Sequence, residues 1–278
     1  FDIFLRSLKH GLTPNPDISC NQHIKFRFLL EKALEMNGDF FATGHYCRLK
    51  KDSSGQIKLL KGADKDKDQS YFLSAVHSDS LKKVVFPIGE LEKSRVRSIA
   101  KEFRLPNFAK KDSVGICFVE NKKFREFISK YIPDRKGLIL STEGNILGEH
   151  RGLHFFTIGQ RKGLKIGGKG DAWFVAKKDN KTNTLWVVQG RCHPWLFSHR
   201  FRVQNVNWIS KPPSLPFSCY VKIRYRSLEV SCHVSPCLNG LEVTLEIPVR
   251  AVTPGQAAVF YQGIECLGGG TIVEIIVD

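Results

Sequence analysis

Short apolar segments with a period of two residues follow one another from about residue 201 to the end of the chain. Turn signals such as Leu238-Asn239-Gly240 and Gly268-Gly269-Gly270 separate these segments. Short strands at regular spacing, divided by turns, are typical of a small antiparallel barrel. We therefore predict such a barrel at the C-terminal end, with strands over residues 217–225, 229–234, 241–247, 257–261 and 271–277.

The first part of the chain has the pattern of an α/β domain. Residues 40–43 form a short apolar run that ends at Gly44-His45, as expected for a buried parallel strand that opens into a ligand-binding loop. Residues 93–103 and 122–131 carry apolar side chains at helical spacing. The side chains predicted to be buried are Val96, Ile99, Ala100 and Phe103 in the first helix and Phe124, Phe127, Ile128 and Tyr131 in the second.

Three hairpins are also predicted from turn residues between apolar segments. Residues 50–60 form a surface hairpin, and residues 137–147 turn at Glu143-Gly144-Asn145. Residues 173–176 pair with residues 184–188. The helical pattern stops near residue 132, so the last two hairpins lie in a part of the chain where the pattern has changed.

Size and charge narrow the possible functions. A chain of 278 residues with 42% hydrophobic residues suits two or three domains, and no apolar run approaches the roughly 20 residues of a membrane span. The net charge is +16, and residues 1–197 carry +15 of it (36 Lys and Arg against 21 Asp and Glu). This excess favours a polyanionic partner such as nucleic acid, although a basic surface without such a partner is the alternative.

Eight cysteines are scattered along the chain without the dense spacing of a disulfide framework: 20, 47, 117, 192, 219, 232, 237 and 266. A long chain without a secretion signal is typical of a compartment that keeps thiols reduced. Cys232-His233 and Cys237 form the one cluster that resembles a zinc site. It lacks a second ligand pair at zinc spacing and lies in a predicted strand, so we predict no metal there.

Cys20 lies in the segment Thr13-Pro14-Asn15-Pro16-Asp17-Ile18-Ser19-Cys20. The two prolines keep the approach extended, and Asp17 or Ser19 can cap a helix that continues through Ile24, Phe28 and Ala33. A cysteine in the first turn of a helix is favoured as a thiolate by free backbone N–H groups and by the helix dipole. The alternative is an ordinary buried cysteine at a helix start.

Cys117 is the second cysteine with a suggestive context. It follows Lys110, Lys111, Asp112 and Gly115 and stands between Ile116 and Phe118. Lysines that approach a thiol in space lower its pKa. The apolar neighbours equally fit a cysteine packed in a core, and that alternative stays open.

Three further segments are candidates for ligand contacts. Lys67-Asp68-Gln69 precedes a core segment and can face a cleft, or belong to a solvated loop. The glycines and basic residues of 157–168 suit contacts with an RNA backbone but do not have the order of a P-loop. Arg224-Tyr225-Arg226 can stack on a base and pair with a phosphate, or lie in an ordinary strand. His45 can contact a substrate or be solvated.

Eight motifs follow one another along the chain: TPNPDISCNxxIKF, FATGHY, DKDQSYFL, FPIGELEKSxVRxIA, KKDSVGICF, FTIGQRKGL, RYR and VTPGQAAVFY. With these motifs in this order, the chain resembles the tRNA-specific 2-thiouridylases over nearly its whole length. The resemblance implies the C-terminal part of a Rossmann-like ATP-pyrophosphatase domain over residues 1–122, a central tRNA-binding domain over 123–197 and the barrel over 198–278. The family's SGGxDS loop does not occur, and the chain opens at Phe1 within a helical pattern, so we expect a piece of a longer protein.

The resemblance also implies roles for individual residues. Cys20 matches the family's nucleophile and Cys117 its persulfide-bearing cysteine, so a Cys20–Cys117 disulfide is expected during turnover. Asn15, Pro16 and Asp17 match residues that contact the target base, and Gly44 matches a nucleotide-binding position. The expected tRNA contacts are His45, Lys67, Asp68, Gln69, Arg224, Tyr225 and Gln256.

The activity implied by the resemblance is the ATP-dependent transfer of sulfur to C2 of the wobble uridine, position 34 of tRNA. ATP with Mg²⁺, tRNA and a protein that donates persulfide sulfur, either a sulfur-relay protein or a cysteine desulfurase, are the expected cofactors and partners. The compartment is the bacterial cytoplasm or, alternatively, an organelle matrix. The alternatives for function are a catalytically incomplete tRNA-binding fragment and a thiol–disulfide oxidoreductase, which the lack of a CxxC motif disfavours.

Overall fold

The computed structural model describes residues 1–110 and 124–277. The helices are α1 (Asp2–Lys9), α2 (Pro16–Cys20), a π-helical segment (Asn21–Leu29), α3 (Leu30–Glu35), α4 (Ser78–Leu81), α5 (Lys93–Glu102) and α6 (Phe124–Ser129). The strands are β1 (Phe41–Ala42), β2 (Cys47–Lys51), β3 (Ile57–Lys61), β4 (Val84–Val85), β5 (Gly137–Ser141), β6 (Ile146–His150), β7 (Trp173–Asp179), β8 (Thr184–Gln189), β9 (Phe197–Trp208), β10 (Phe217–Lys222), β11 (Val230–Cys237), β12 (Gly240–Arg250), β13 (Ala257–Gln262) and β14 (Glu265–Ile276).

The helix predicted after the prolines is present, but its cap differs from the prediction. Asn15 is the N-cap, with Pro16 at the first helical position, so the predicted caps Asp17 and Ser19 are wrong. The segment after Cys20 is π-helical, which shifts the inward positions to Asn21, Phe26 and Leu30. Its buried side chains are therefore five and four residues apart, while Ile24 and Phe28 remain about half exposed.

β1 pairs in parallel with β4, which confirms the predicted parallel strand. Its burial was predicted wrongly, because Phe40 is 59% exposed and Ala42 faces solvent. Phe103, the residue after α5, is 72% exposed, and Val96, Ile99 and Ala100 of α5 are half-buried, so the predicted burial of these side chains is wrong.

The part of the predicted second helix that the structure describes begins at Phe124, and α6 packs its apolar side chains against α1. Ile128 is fully buried and packs in a cluster with Leu8 and Phe155. Tyr131 is 47% exposed rather than buried, although its ring contacts Phe127. The N-terminal helix and the central region thus share a small apolar contact.

The central region is a four-stranded sheet with the order β6-β5-β8-β7. β5–β6 and β7–β8 are antiparallel hairpins, as predicted, and β5 pairs in parallel with β8. The core lies on one face of this sheet and contains Ile139, Leu153, Phe156, Leu164, Val175, Leu185 and Val187.

β9 to β14 form a closed six-stranded antiparallel barrel, which confirms the predicted C-terminal architecture. The prediction of a turn at Gly268-Gly269-Gly270 is wrong, because these glycines lie inside β14. A side chain at Gly269 would stand 2.7 Å from the Ala258 carbonyl oxygen, and one at Gly270 would stand 2.6 Å from Val203. The glycines therefore let β14 pass closely between its two partners and close the barrel.

The hairpin β2–β3 extends the barrel sheet rather than standing alone on the surface. β3 pairs with β14 at Leu60↔Glu265 and Leu59↔Cys266. The Leu59 side chain is fully buried in a core that also contains Tyr261 and Val259 of the barrel. The N-terminal region and the barrel therefore share one apolar core.

Candidate functional site

The Asn15–Cys20 segment is organised by a side-chain cap. Asn15 Oδ1 accepts hydrogen bonds from the backbone N–H groups of Asp17 (3.2 Å) and Ile18 (3.3 Å). Cys20 is half-buried and is the last residue of α2, beyond the first turn in which the helix dipole acts. Cys20 therefore lies after the first turn of the helix and not within it, as the sequence pattern predicted.

α2 packs on the turn Ser70–Leu73, which follows the Lys67-Asp68-Gln69 segment. The Tyr71 hydroxyl donates to the Ala257 carbonyl oxygen (3.0 Å) and is hydrogen-bonded to the Asn15 side chain. Burial raises the pKa of Tyr71, so it remains a neutral donor. The turn thus joins the Asn15 cap to the barrel strand β13.

Asp68 and Gln69 shape the loop that carries them. The Asp68 carboxylate is buried and accepts hydrogen bonds from the Gly62 N–H (3.1 Å), the Ser70 N–H (3.1 Å) and the Ser70 hydroxyl (2.9 Å). Gln69 Oε1 accepts from the Tyr46 N–H (3.1 Å), and the Gln69 N–H donates to the Tyr46 carbonyl oxygen (3.0 Å). These hydrogen bonds hold the loop in place. The predicted contacts of Asp68 and Gln69 with tRNA stay a prediction.

An open cleft of about 540 Å³ lies between this loop and the barrel loop that follows β10. The cleft brings the predicted residues Lys67, Asp68 and Tyr225 to one place, and the Tyr225 ring lies 4.3 Å from the Phe72 ring. Its walls carry cations and anions from both sides: Lys65, Lys67, Lys222, Arg226, Asp66, Asp68 and Glu229. Two segments about 155 residues apart in the sequence therefore form one surface.

Arg224 lies on the central-domain side of this loop. One of its guanidinium nitrogens, Nη2, donates to Ile158 O (2.8 Å), Ala251 O (3.1 Å) and Thr253 Oγ1 (3.0 Å). Burial lowers the pKa of the guanidinium group, which nevertheless stays far above neutrality. Arg224 therefore links the barrel to the central region, a role that its sequence context did not indicate.

Gln256 lies near Arg224, because its backbone N–H donates to the carbonyl oxygen of Thr253 (3.1 Å), whose hydroxyl oxygen accepts from Arg224. Its Nε2 donates to the Thr13 carbonyl oxygen (2.7 Å), and the Thr13 N–H donates to the Pro254 carbonyl oxygen (2.9 Å). Gln256 is thus directly connected to the segment that contains Asn15 and Cys20. A tRNA contact of Gln256 would use the hydrogen-bonding groups of its side-chain amide that do not contact Thr13.

His45 is buried rather than solvated. Its ring packs between Phe26 and Phe86, and Nδ1 lies 2.9 Å from the Thr43 hydroxyl. Burial, with a smaller effect of the Lys25 charge, lowers the pKa of His45 to about 4, so the ring is neutral at pH 7. A charge-based contact between His45 and RNA is not supported by this environment.

Gly44 follows β1 at the carboxyl end of the parallel strand pair. A Cβ placed on it would meet only Ile88 Cδ1, at 3.9 Å, so the space beside its backbone is open. A nucleotide can approach the backbone at such a position. No group of three or more His, Cys, Asp or Glu side chains in the described residues is arranged to hold a metal ion.

The basic glycine-rich loop of the central region is open to solvent. Leu164 anchors it in the central core, while Arg161, Lys162, Lys165 and Lys169 are exposed. Gly163 and Gly168 have positive φ angles of 87° and 119°, which L side chains rarely adopt. The loop surrounds an open pocket of about 340 Å³, a geometry compatible with the predicted contact with an RNA backbone.

Cys117 lies outside the described residues, as do Lys111 and the rest of that motif up to residue 123. The predicted Cys20–Cys117 pairing therefore stays a prediction. The structure adds two residues that the sequence analysis missed, Tyr71 and Lys178. Tyr71 lies inside the motif DKDQSYFL and could have been noticed, whereas Lys178 lies in a polar turn pattern that gives no such signal.

The architecture and the site together define a class of protein: an α/β region with a candidate thiol nucleophile, joined to a small β domain and a closed barrel. Residues 1–121 match the tRNA methyl transferase HUP domain, residues 125–189 the tRNA methyl transferase PRC-barrel domain, and residues 198–272 the aminomethyltransferase beta-barrel domain. The α/β fold class and the barrel are thereby confirmed. The exact boundaries at residues 122 and 197 stay a prediction.

Several relatives of this chain are named tRNA-specific 2-thiouridylases. One from Geobacillus kaustophilus is 49% identical over 99% of this chain and 74% of its own length. Another from Blochmanniella pennsylvanica is 49% identical over 99% of this chain and 77% of its own length, and one from Bacillus subtilis is 47% identical over 100% and 76%. The chain belongs to the tRNA-specific 2-thiouridylase family. Within the described residues, no helix combines the length and the apolar character needed to cross a membrane.

Proposed function

We propose that this protein is a tRNA-uridine 2-sulfurtransferase that replaces the C2 oxygen of uridine 34 with sulfur. The observation that carries the proposal is the convergence of three separate segments in a chain that belongs to this family. The capped helix with Cys20, the Lys67–Gln69 loop and the Arg224–Tyr225 loop are connected through Tyr71, Phe72 and Gln256. The packing of the Cys20 helix on the Ser70–Leu73 turn, whose Phe72 contacts the cleft residue Tyr225, supports the proposal.

The cleft and the basic loop support tRNA as the substrate. Tyr225 provides an aromatic face on which a base can stack, and Lys67 and Arg226 provide cations beside it. The four exposed basic residues of the central loop extend the positive surface. Because residues 1–197 carry a net charge of +15, binding to a polyanion is expected to release many counterions.

The proposed chemistry uses two thiols. Cys117 carries a persulfide, whose terminal sulfur is the atom that is transferred. Cys20 attacks the inner sulfur of Cys117, so the S–S bond of the persulfide breaks and a Cys20–Cys117 disulfide forms. The sulfide released in this step attacks C2 of the uridine. An external thiol reductant then returns the disulfide to two thiols. This step requires the two Cα atoms to approach within about 7 Å.

ATP fits the open backbone position at Gly44, and when bound it would turn the C2 oxygen of the uridine into a leaving group. Mg²⁺ is proposed only as the companion of the nucleotide phosphates. Asn15, Pro16 and Asp17 are proposed to hold the target base, which must leave its stack at a cost of a few kcal/mol. A persulfide donor protein is the proposed sulfur source. The three relatives come from bacteria, which supports a bacterial cytoplasm as the proposed compartment.

The direct test measures 2-thiouridine at position 34 by mass spectrometry of tRNA from cells that depend on this protein for the modification. We expect the unsubstituted protein to restore 2-thiouridine and both Cys20→Ser and Cys117→Ser to abolish it. The matched control is Cys192→Ser, because Cys192 is exposed and lies outside the proposed site. Persistent 2-thiouridine in the Cys117→Ser variant would contradict the proposed mechanism.

A binding measurement tests the substrate independently of the chemistry. The affinity of the purified chain for unmodified tRNA is measured at several salt concentrations. We expect the logarithm of the affinity to fall linearly and steeply with the logarithm of the salt concentration. A flat response would contradict the proposed role of the basic surface. Binding without any thiolation would favour a tRNA-binding protein that does not catalyse the reaction alone.

A further inference from the structure

Thr13 is the point at which three parts of the fold meet. Its N–H donates to Pro254 O (2.9 Å), its carbonyl oxygen accepts from Gln256 Nε2 (2.7 Å), and its hydroxyl oxygen lies 3.3 Å from Lys178 Nζ. The first two partners belong to the barrel and the third belongs to β7 of the central sheet. Each polar group of Thr13 is therefore held by a residue more than 160 positions away.

The fit around Thr13 is tight as well as polar. Gly255 has a φ of +94°, and a side chain on it would stand 2.6 Å from the Thr13 nitrogen. The Asn180 side-chain amide donates to the His10 carbonyl oxygen three residues before Thr13. The chain is thus clamped immediately before Pro14.

Lys178 is an unusual member of this clamp. Its ammonium group donates to two neutral oxygens, Thr13 Oγ1 (3.3 Å) and Phe156 O (2.9 Å). Among the described residues, no carboxylate forms an ion pair with it. Burial lowers its pKa to about 8. Burying an ammonium group without an anion is unfavourable, so stability alone does not account for a lysine at this position.

We propose that Lys178 is a positioning residue for the candidate site: through Thr13 it sets the entry of the chain into the Asn15–Cys20 segment. The two residues between Thr13 and α2 are Pro14 and Asn15, and Pro16 begins the helix. Because prolines at 14 and 16 restrict the backbone, a displacement of Thr13 also displaces the Asn15 cap and Cys20. Lys178 itself acts on the segment from the central sheet and does not line the cleft.

The test compares Lys178→Met, which removes the donor but keeps the length of the side chain, with Lys177→Met. Lys177 is the exposed neighbour on the same strand, so the control removes the same charge. The first measurement is the rate at which iodoacetamide alkylates Cys20, followed by mass spectrometry of the Cys20 peptide. We expect Lys178→Met to raise this rate about threefold to tenfold, because a contact to a charged donor is lost. Lys177→Met should leave it unchanged.

Variants of Thr13 provide a second comparison in the alkylation experiment. Thr13→Val keeps the shape and removes the hydroxyl group, whereas Thr13→Ser keeps the hydroxyl group. We expect Thr13→Val, Lys178→Met and the double variant to accelerate alkylation equally, because all three break the same contact, and Thr13→Ser to retain the original rate. Additive effects in the double variant, or equal rates for Lys178→Met and Lys177→Met, would overturn the proposal.

The third measurement rests on the proposed function. In a thiolation assay, Lys178→Met should lower kcat by about tenfold to a hundredfold, as expected for a misplaced catalytic segment, with KM for tRNA unchanged. The melting temperature should not fall, because a buried charge has been removed. A loss of kcat that parallels a loss of melting temperature would overturn the positioning role. If the unsubstituted protein shows no thiolation, the proposed function is wrong. The alkylation rates of the Lys178 and Thr13 variants still test the positioning role of Lys178 in that case.

Discussion

The N-terminal region contacts the barrel and the central sheet in two different ways. Its contact with the barrel is an extended apolar core, in which Leu59, Tyr71 and Leu73 pack with Val259 and Tyr261. The sheet itself continues across this boundary through the pairing of β3 with β14. Apolar burial on this scale joins the two regions into one folded unit.

The contact with the central sheet depends more on individual hydrogen bonds. Lys178 bonds to Thr13 and Asn180 bonds to His10, and Arg224 of the barrel adds a hydrogen bond to the central region at Ile158 O. The apolar part of the contact between the N-terminal region and the central region is the smaller cluster around Leu8 and Ile128. The comparison shows that apolar surface holds the barrel in place, whereas individual hydrogen bonds set the orientation of the central sheet toward the candidate site.

The largest expected effect is at the apolar contact. Leu59→Ala removes a fully buried side chain from the shared core and should lower the free energy of unfolding by about 2–5 kcal/mol. We expect the N-terminal region and the barrel to lose stability together in chemical denaturation, because they share that core. The control Leu228→Ala, at a side chain that is 87% exposed, should change stability by less than about 0.5 kcal/mol.

His45 makes the stability of the N-terminal region dependent on pH. The unfolded chain takes up a proton at His45 below pH 6.5, whereas the folded protein does so only at about pH 4. The free energy of unfolding should therefore fall by up to about 3 kcal/mol as the pH decreases from 6.5 to 4. Denaturant titrations at these two pH values should show a smaller difference for His45→Phe.

The control for this pH dependence is His233→Phe, since His233 is exposed on the barrel. This variant should keep the acid sensitivity of the unsubstituted protein. An equal pH dependence in His45→Phe and in the unsubstituted protein would show that other groups cause it.

The smallest of these effects is expected at the polar contact. Arg224→Met leaves Ile158 O, Ala251 O and Thr253 Oγ1 without this donor and should cost about 1–3 kcal/mol of stability. The control Arg226→Met, at an exposed arginine two residues away, should cost less than about 0.5 kcal/mol. A loss of tRNA affinity in Arg224→Met without a change in melting temperature would instead assign Arg224 to the RNA and contradict its structural role.

Much of the architecture could be predicted because it depends on local patterns. The alternating segments after residue 201 and the turns at 143–145 and 238–240 predict strands and hairpins that the structure confirms. Some of the errors have local causes too. Asn15 caps the Cys20 helix instead of Asp17 or Ser19, and the three consecutive glycines, which usually mark a turn, allow close packing inside β14.

The sequence alone was sufficient for the fold class, the order of the regions and the family, because ordered motifs and residue periodicity are properties of neighbouring residues. The tertiary structure was needed to show that Thr13 is held by Lys178, Pro254 and Gln256, and that Arg224 faces carbonyl oxygens. These partners are tens to hundreds of positions apart, and no local preference encodes which of them meet. Their contacts arise only when the apolar cores fold and bring the surrounding polar groups within hydrogen-bonding distance.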